Sequence, residues 1–159
     1  RPLRTAYLCG EYTGDNMTDH IIAFLILSAG SLAALAQTGD LEVHLQGVEH
    51  ARGSVRVGLY SDPSSFRKEE RAVSVLQAQA APGTVVVRFR GVAPGRYAIM
   101  AYHDEDGNGE LNRRFGMFPT EGYGLSNNPS VSGPPAFEDS AFEVDAGPAA
   151  TVIGIDVRY

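Results

Sequence analysis

A two-residue period of apolar side chains recurs along this chain and leaves little room for anything but strands. Leu41, Val43 and Leu45 alternate with Glu42, His44 and Gln46, and Val55, Val57 and Leu59 with Arg56, Gly58 and Tyr60. Val85, Val87 and Phe89 are set against Val86, Arg88 and Arg90, and Ile153, Ile155, Val157 and Tyr159 make a last stripe. Successive strand side chains point to opposite faces, so each stretch describes a ribbon with one face buried. The run Tyr97–His103 differs, because Tyr97, Ile99 and Ala101 on one face and Ala98, Met100 and Tyr102 on the other are both largely apolar. A strand covered on both faces lies in the middle of its sheet. With turn signals at Pro82-Gly83 and Pro94-Gly95 and no long helical period after residue 40, the expectation is all-β: a single antiparallel β-sandwich of about seven strands.

The central strand runs into Tyr102-His103-Asp104-Glu105-Asp106-Gly107-Asn108-Gly109-Glu110-Leu111-Asn112. Alternating Asp and Asn positions turn several oxygens towards one centre, as Ca²⁺ requires, and Gly109 stands where a sharp turn is needed. The candidate ligands are Asp104, Asp106, Asn108, the carbonyl of Glu110, and Asn112. An EF-hand would place a bidentate Glu at the twelfth position, which here is Phe115, so the run is half of that motif. Two readings are open: a bound cation, or a loop capped by its own backbone hydrogen bonds. His103 reads as the end of the strand, since Ca²⁺ prefers oxygen and no Cys/His cluster supports zinc.

The 159 residues suit one domain with one modest core. A formal charge of -6 and the lack of a basic run argue against nucleic acid and against a cationic membrane face. Residues 17–36 read as a signal peptide: Ile21 to Leu27 is apolar and Ala34-Leu35-Ala36 has the small-x-small pattern of a cleavage site. The mature chain would begin at Gln37, with no transmembrane span after cleavage; a retained anchor and a buried core helix are the alternative readings of the same apolar run. Residues 1–16 show no periodicity, and Met17 is the expected start, with a mis-called or truncated extension before it. The only cysteine, Cys9, falls in that extension, which excludes disulfide and thiol chemistry from residues 37–159 and favours a bacterial periplasmic or secreted setting.

Between Asp62 and Arg71 the alternation breaks. Asp62 or a following serine should cap a helical turn, with Phe66 closing one end of the core. From Asn112 to about Ser140 the chain is irregular, yet it carries Phe115, Phe118, Tyr123 and Phe137. Disordered loops are poor in aromatics, so this one is expected to be ordered and packed over one end of the sandwich.

Four separated motifs occur in order: Pro94-Gly95-Arg96-Tyr97-Ala98, the run His103–Asn112, Glu121-Gly122-Tyr123-Gly124-Leu125-Ser126-Asn127, and Gly133-Pro134-Pro135-Ala136-Phe137-Glu138-Asp139-Ser140. On these the chain resembles the bacterial family called domain of unknown function 2141, over roughly residues 39–159. It departs from the family pattern at Asp106, Leu125 and Ser140. The resemblance implies an exported β-sandwich and no established activity. The Pro-Gly-x-Tyr element is also similar to the prealbumin-like folds of carboxypeptidase regulatory and surface-adhesin modules, which bears on architecture alone: a prealbumin- or immunoglobulin-like sandwich.

Two functions follow from these residues. The first is a non-catalytic envelope module, binding or structural, whose partner is a glycan or protein and whose loop 104–140 is stiffened by Ca²⁺. His103, Tyr102, Glu121, Tyr123, Ser126 and Asn127 are its candidate ligand-binding residues, the tyrosines by stacking. The second is a hydrolase using His103 as general base with Asp104, Glu121 or Glu138. No nucleophile elbow, phosphate loop or His-Glu-x-x-His run accompanies it.

Overall fold

Every alternating stretch forms a strand. The computed structural model describes residues 37–130 and 132–159. The signal peptide and the extension before Met17 lie outside the described residues. The strands are β1 (Gly39–Val48), β2 (Ser54–Tyr60), β3 (Ser74–Gln79), β4 (Gly83–Val92), β5 (Gly95–Asp104), β6 (Arg113–Arg114), β7 (Phe118–Pro119), β8 (Tyr123–Leu125), β9 (Ala141–Val144) and β10 (Thr151–Asp156). Among the described residues helical structure amounts to a 3₁₀ turn at Glu69–Arg71 and a four-residue α1 at Phe137–Ser140. Strands beyond the expected seven come mainly from short pieces within the long loop.

The fold is an all-β sandwich. One sheet has the order β10-β1-β4; the other runs β3-β2-β5-β8, with β9 also paired to β5. Between them lies a core that includes Leu41, Val43, Leu45, Val55, Val57, Leu59, Val87, Phe89, Ile99, Val144 and Ile155. Full burial of side chains of this kind contributes about 1.5–3 kcal/mol each. All pairings are antiparallel except β1 with β10, which is parallel in the register Leu41↔Thr151 to Gln46↔Asp156. Alternation specifies which face is buried and not which way the neighbouring strand runs, so this departure was invisible in the sequence.

The last apolar stripe is also shorter than expected. Ile155 is fully buried, Ile153 and Val157 are half-buried, and Tyr159 is exposed. β10 lies at the edge of its sheet and ends at Asp156, so the residues after it are freed for other contacts.

β5 is buried at every position from Tyr97 to Asp104, as a central strand should be. Its second apolar face packs in a separate cluster of Tyr60, Phe66, Ala98, Met100, Tyr102, Leu111, Leu125 and Phe137. The irregular segments therefore act as a third layer. Tyr60, Phe66 and Phe137 meet edge-to-face at 5.4 and 5.8 Å. Asp62 starts the turn that delivers Phe66: its Oδ1 accepts from the Ser64 N–H at 2.6 Å. Phe137 arrives on α1, with Arg96 over its ring and Glu138 bonded to Arg96 at 2.6 Å. No helix among the described residues is long and apolar enough to cross a membrane.

Candidate functional site

Asp104 is the last residue of β5 and is 1% exposed. Its carboxylate accepts the backbone N–H of Asn108 on Oδ1 at 3.1 Å and of Gly109 on Oδ2 at 3.0 Å. The following turns cap themselves. Asp106 Oδ1 accepts the Asn108 N–H, Asn108 Oδ1 accepts the Glu110 N–H, and the amides of Asn108 and Asn112 both donate to Asp106 Oδ2. Asn108 Nδ2 also reaches Asn112 Oδ1 at 2.8 Å. Short Asp and Asn side chains make such bonds to backbone two residues on, and Gly107 and Gly109 supply the positive φ the turns need.

The residue that closes the site is Glu121. β5 and β8 pair antiparallel with Tyr102 opposite Tyr123, and the ladder continues as the His103 N–H donates to the Gly122 carbonyl at 2.7 Å. Glu121 is thereby carried alongside Asp104, 5% exposed. Its two oxygens accept the backbone N–H groups of Glu105 and Asn112, both at 2.9 Å, and so tie together the two ends of the acidic loop. Carboxylate oxygens of Asp104, Asp106 and Glu121 lie within 4.8 Å of one another. Among the described residues no Lys or Arg forms an ion pair with any of the three. Gly53 also shapes this corner, because a Cβ there would stand 2.0 Å from the Asp104 carbonyl oxygen.

Of the candidate metal ligands, Asp104, Asp106, Asn108 and Asn112 are joined in one hydrogen-bonded cluster. Glu110 contributes its backbone N–H to that cluster, while the residue itself is exposed. Glu121 belongs with the acids, a role the linear spacing did not reveal. The signal available was its position at the head of a motif whose strand could pair beside β5.

The remaining candidates do other work. Tyr102 is buried in the second cluster, its hydroxyl 2.8 Å from both Glu69 Oε2 and the Gly109 carbonyl, so its ring has no free face for stacking. Burial first, and then the neighbouring Glu69, hold that phenol above its ordinary range. Glu69 in turn pairs with Arg56. Tyr123 is half-buried and is bound through its backbone to Arg158. Ser126 is fully buried; its Oγ accepts the Ile99 N–H at 2.9 Å and donates to the Ser140 carbonyl. Asn127 donates to the Ala141 carbonyl at 2.8 Å.

His103 is fully buried with both ring nitrogens engaged. Nε2 lies 2.7 Å from the Arg52 carbonyl and Nδ1 lies 2.6 Å from the Tyr159 hydroxyl. A carbonyl can only accept, so Nε2 carries a proton; in the neutral imidazole Nδ1 then accepts from Tyr159. Tyr159 accepts the Glu49 N–H in turn. His50 packs against this ring at 4.6 Å, and both His50 and Arg52 reach Glu105 Oε2, at 3.1 and 2.8 Å. His50, His103 and Glu105 thus form a second close set. Both ring nitrogens of His103 are already engaged, so this set offers an ion no free imidazole lone pair.

An all-β sandwich whose central strand ends in an acidic, amide-rich loop is the class that fold and site define. The chain belongs to the family described as "Uncharacterized protein conserved in bacteria (DUF2141)", which matches residues 43–152. No curated protein and no solved structure shows a significant match to the chain.

Proposed function

We propose that this protein is an exported, non-catalytic module of the bacterial envelope, binding or structural, whose acidic loop takes up Ca²⁺. One observation carries the calcium reading: three carboxylates converge within 4.8 Å, two of them buried, with no cationic side chain paired to them among the described residues. Burying like charges together is costly, and a hard divalent cation with oxygen ligands offsets it. Asp104, Asp106 and Glu121 would supply the charge, and the side-chain oxygens of Asn108 and Asn112 stand beside them. The ion would stiffen the start of the loop 104–140. The export signal read in residues 17–36 and the bacterial family support the setting.

The engaged nitrogens of His103 support the non-catalytic side of the proposal, since a general base needs a free lone pair within reach of substrate. Of the three suggested partner carboxylates, Asp104 and Glu121 accept backbone N–H groups, and Glu138 is exposed and bonded to Arg96. The test is a thermal melt of Gln37–Tyr159 in Ca²⁺ and in chelator. At a hundredfold excess over Kd the ion should stabilise by about 2.7 kcal/mol, a shift of several degrees. An unchanged melting temperature, with no heat of Ca²⁺ binding by calorimetry, reduces the loop to a self-capped turn.

A further inference from the structure

The acidic loop leads directly into a feature that the calcium reading does not use. β6 and β7 form a hairpin in which Arg113 faces Pro119 and Arg114 faces Phe118. Its base is tied to the cluster, because Asn112 accepts the Thr120 N–H through its carbonyl and donates its own N–H to Glu121. Its tip is a tight turn closed by the Met117 N–H on the Arg114 carbonyl at 3.2 Å. Phe115 and Gly116 occupy the two central positions with φ of 55° and 70°. Two positive φ values are the requirement of a type I′ turn, which favours Asn or Gly at the first. A phenylalanine there is sterically unfavourable.

That residue is held out in water. Phe115 is 82% exposed, Met117 69% and Phe118 63%, the three most exposed large apolar side chains among the described residues, all within four consecutive positions. Arg113 and Arg114 flank them, exposed and without an acidic partner among the described residues. An exposed apolar patch of this kind marks an interaction surface.

We propose that this hairpin is a membrane-docking tip, inserting Phe115, Met117 and Phe118 among the acyl chains of a phospholipid surface while Arg113 and Arg114 bind lipid phosphates. The patch is small for a dimer interface: three side chains of this size offer roughly 450–750 Å², below the ~800 Å² per partner of a stable complex. A narrow projecting tip suits a fluid surface, where aromatic and Met side chains enter the boundary between headgroups and chains. Guanidinium groups match phosphate oxygens in a bidentate geometry. Asp106 and Glu110, exposed at the hairpin's base, oppose a net-negative bilayer. A zwitterionic phosphatidylethanolamine/phosphatidylcholine surface is therefore the commitment. Insertion at the tip does not depend on Ca²⁺ at the base.

The protein used is Gln37–Tyr159, which contains both apolar clusters entire and omits the apolar segment 21–36. The chain has no tryptophan, so Phe118→Trp makes a single reporter at the tip. In chelator, zwitterionic vesicles should shift its emission to the blue, and bromine-labelled acyl chains should quench it. Separately, the triple variant Phe115→Ser/Met117→Ser/Phe118→Ser should lower co-sedimentation by roughly tenfold or more. Arg113→Glu/Arg114→Glu should also lower it, by removing the guanidinium–phosphate hydrogen bonds. These positions are exposed, so folding should survive, as circular dichroism will check. An unshifted tryptophan overturns the proposal, as does undiminished sedimentation of the triple variant. So does a dimer in solution that the triple variant converts to monomer, since the patch would then serve self-association. The chelator separates this outcome from that of the calcium reading.

Discussion

Replacing Glu121 by glutamine separates a cation site from a hydrogen-bonded staple. Unit charges 4.8 Å apart repel by about 3.5 kcal/mol per pair at an effective dielectric of about 20, and by less where solvent screens the exposed Asp106. Three mutual pairs amount to roughly 10 kcal/mol at most on that scale. Opposing this are four bonds from backbone N–H groups to Asp104 and Glu121, each worth about 1.5–3 kcal/mol to a charged acceptor. The two sums are of similar size, so on the calcium proposal the ion tips the balance. Glu121→Gln removes two of the three repulsive pairs, but it turns an amide NH₂ towards one of the backbone N–H groups and loses the charge assistance at both. In chelator these changes nearly cancel, and the variant should melt within a few degrees of the parent. In Ca²⁺ at a hundredfold excess over the parent's Kd, the parent gains about 2.7 kcal/mol, whereas a variant binding a hundredfold more weakly gains about 0.4 kcal/mol. Scanning calorimetry of both proteins in both buffers reads the difference directly. Glu110→Gln, which changes only an exposed side chain outside the cluster and leaves the backbone of residue 110 in place, should keep the full gain. Equal gains from Ca²⁺ in parent and Glu121→Gln, or an equal large loss in both buffers, would show that Glu121 acts only as a staple and refute the charge argument.

Three further outcomes are expected. Gly53→Ala should lower the melting temperature and weaken Ca²⁺ binding, because its Cβ would meet the Asp104 carbonyl oxygen at 2.0 Å at a φ of 65°; isothermal calorimetry checks the affinity and a melt the stability. Ser126→Ala should cost about 2–4 kcal/mol in urea denaturation by leaving the Ile99 N–H and the Ser140 carbonyl unpartnered in the core, with the gain from Ca²⁺ unchanged. Burial, and next the charge of Glu69, push the Tyr60 phenol from 10.0 up to about 12, and Tyr102 is raised as well. A group whose pKa is raised by folding stabilises fully below its unfolded value and loses that stability as pH rises through its folded value. The melting temperature should therefore fall between pH 10 and about 12, with Tyr60 contributing on the order of 2–3 kcal/mol, and Tyr60→Phe should flatten that fall.

Strand positions were legible because alternation is a local property. The inward sets Leu41/Val43/Leu45 and Val85/Val87/Phe89 lie in the core between the sheets, and the doubly apolar run Tyr97–Tyr102 lies in the central β5. The self-capping of Asp106 and Asn108 was equally local, reaching only two residues along the chain. By contrast, the hydroxyls of Tyr102 and Ser126 and the ring of His103 suggested a binding face, and the fold spends all three on internal bonds. Their residue types suit recognition and burial alike, and only the neighbours supplied by Glu69, Ser140, Arg52 and Tyr159 distinguish the two.

By itself, then, the sequence determined a strand-built chain and an oxygen-rich turn at the end of its middle strand, since periods of two and short Asp/Asn caps are written in consecutive residues. Tertiary structure alone decided that β10 runs parallel to β1, that Glu121 stands beside Asp104, and that Phe115, Met117 and Phe118 remain in water. The first two depend on the register between segments distant in the chain, and the third on the short hairpin finding no apolar surface to pack against. Register is a sum over many weak contacts, and no local pattern carries it.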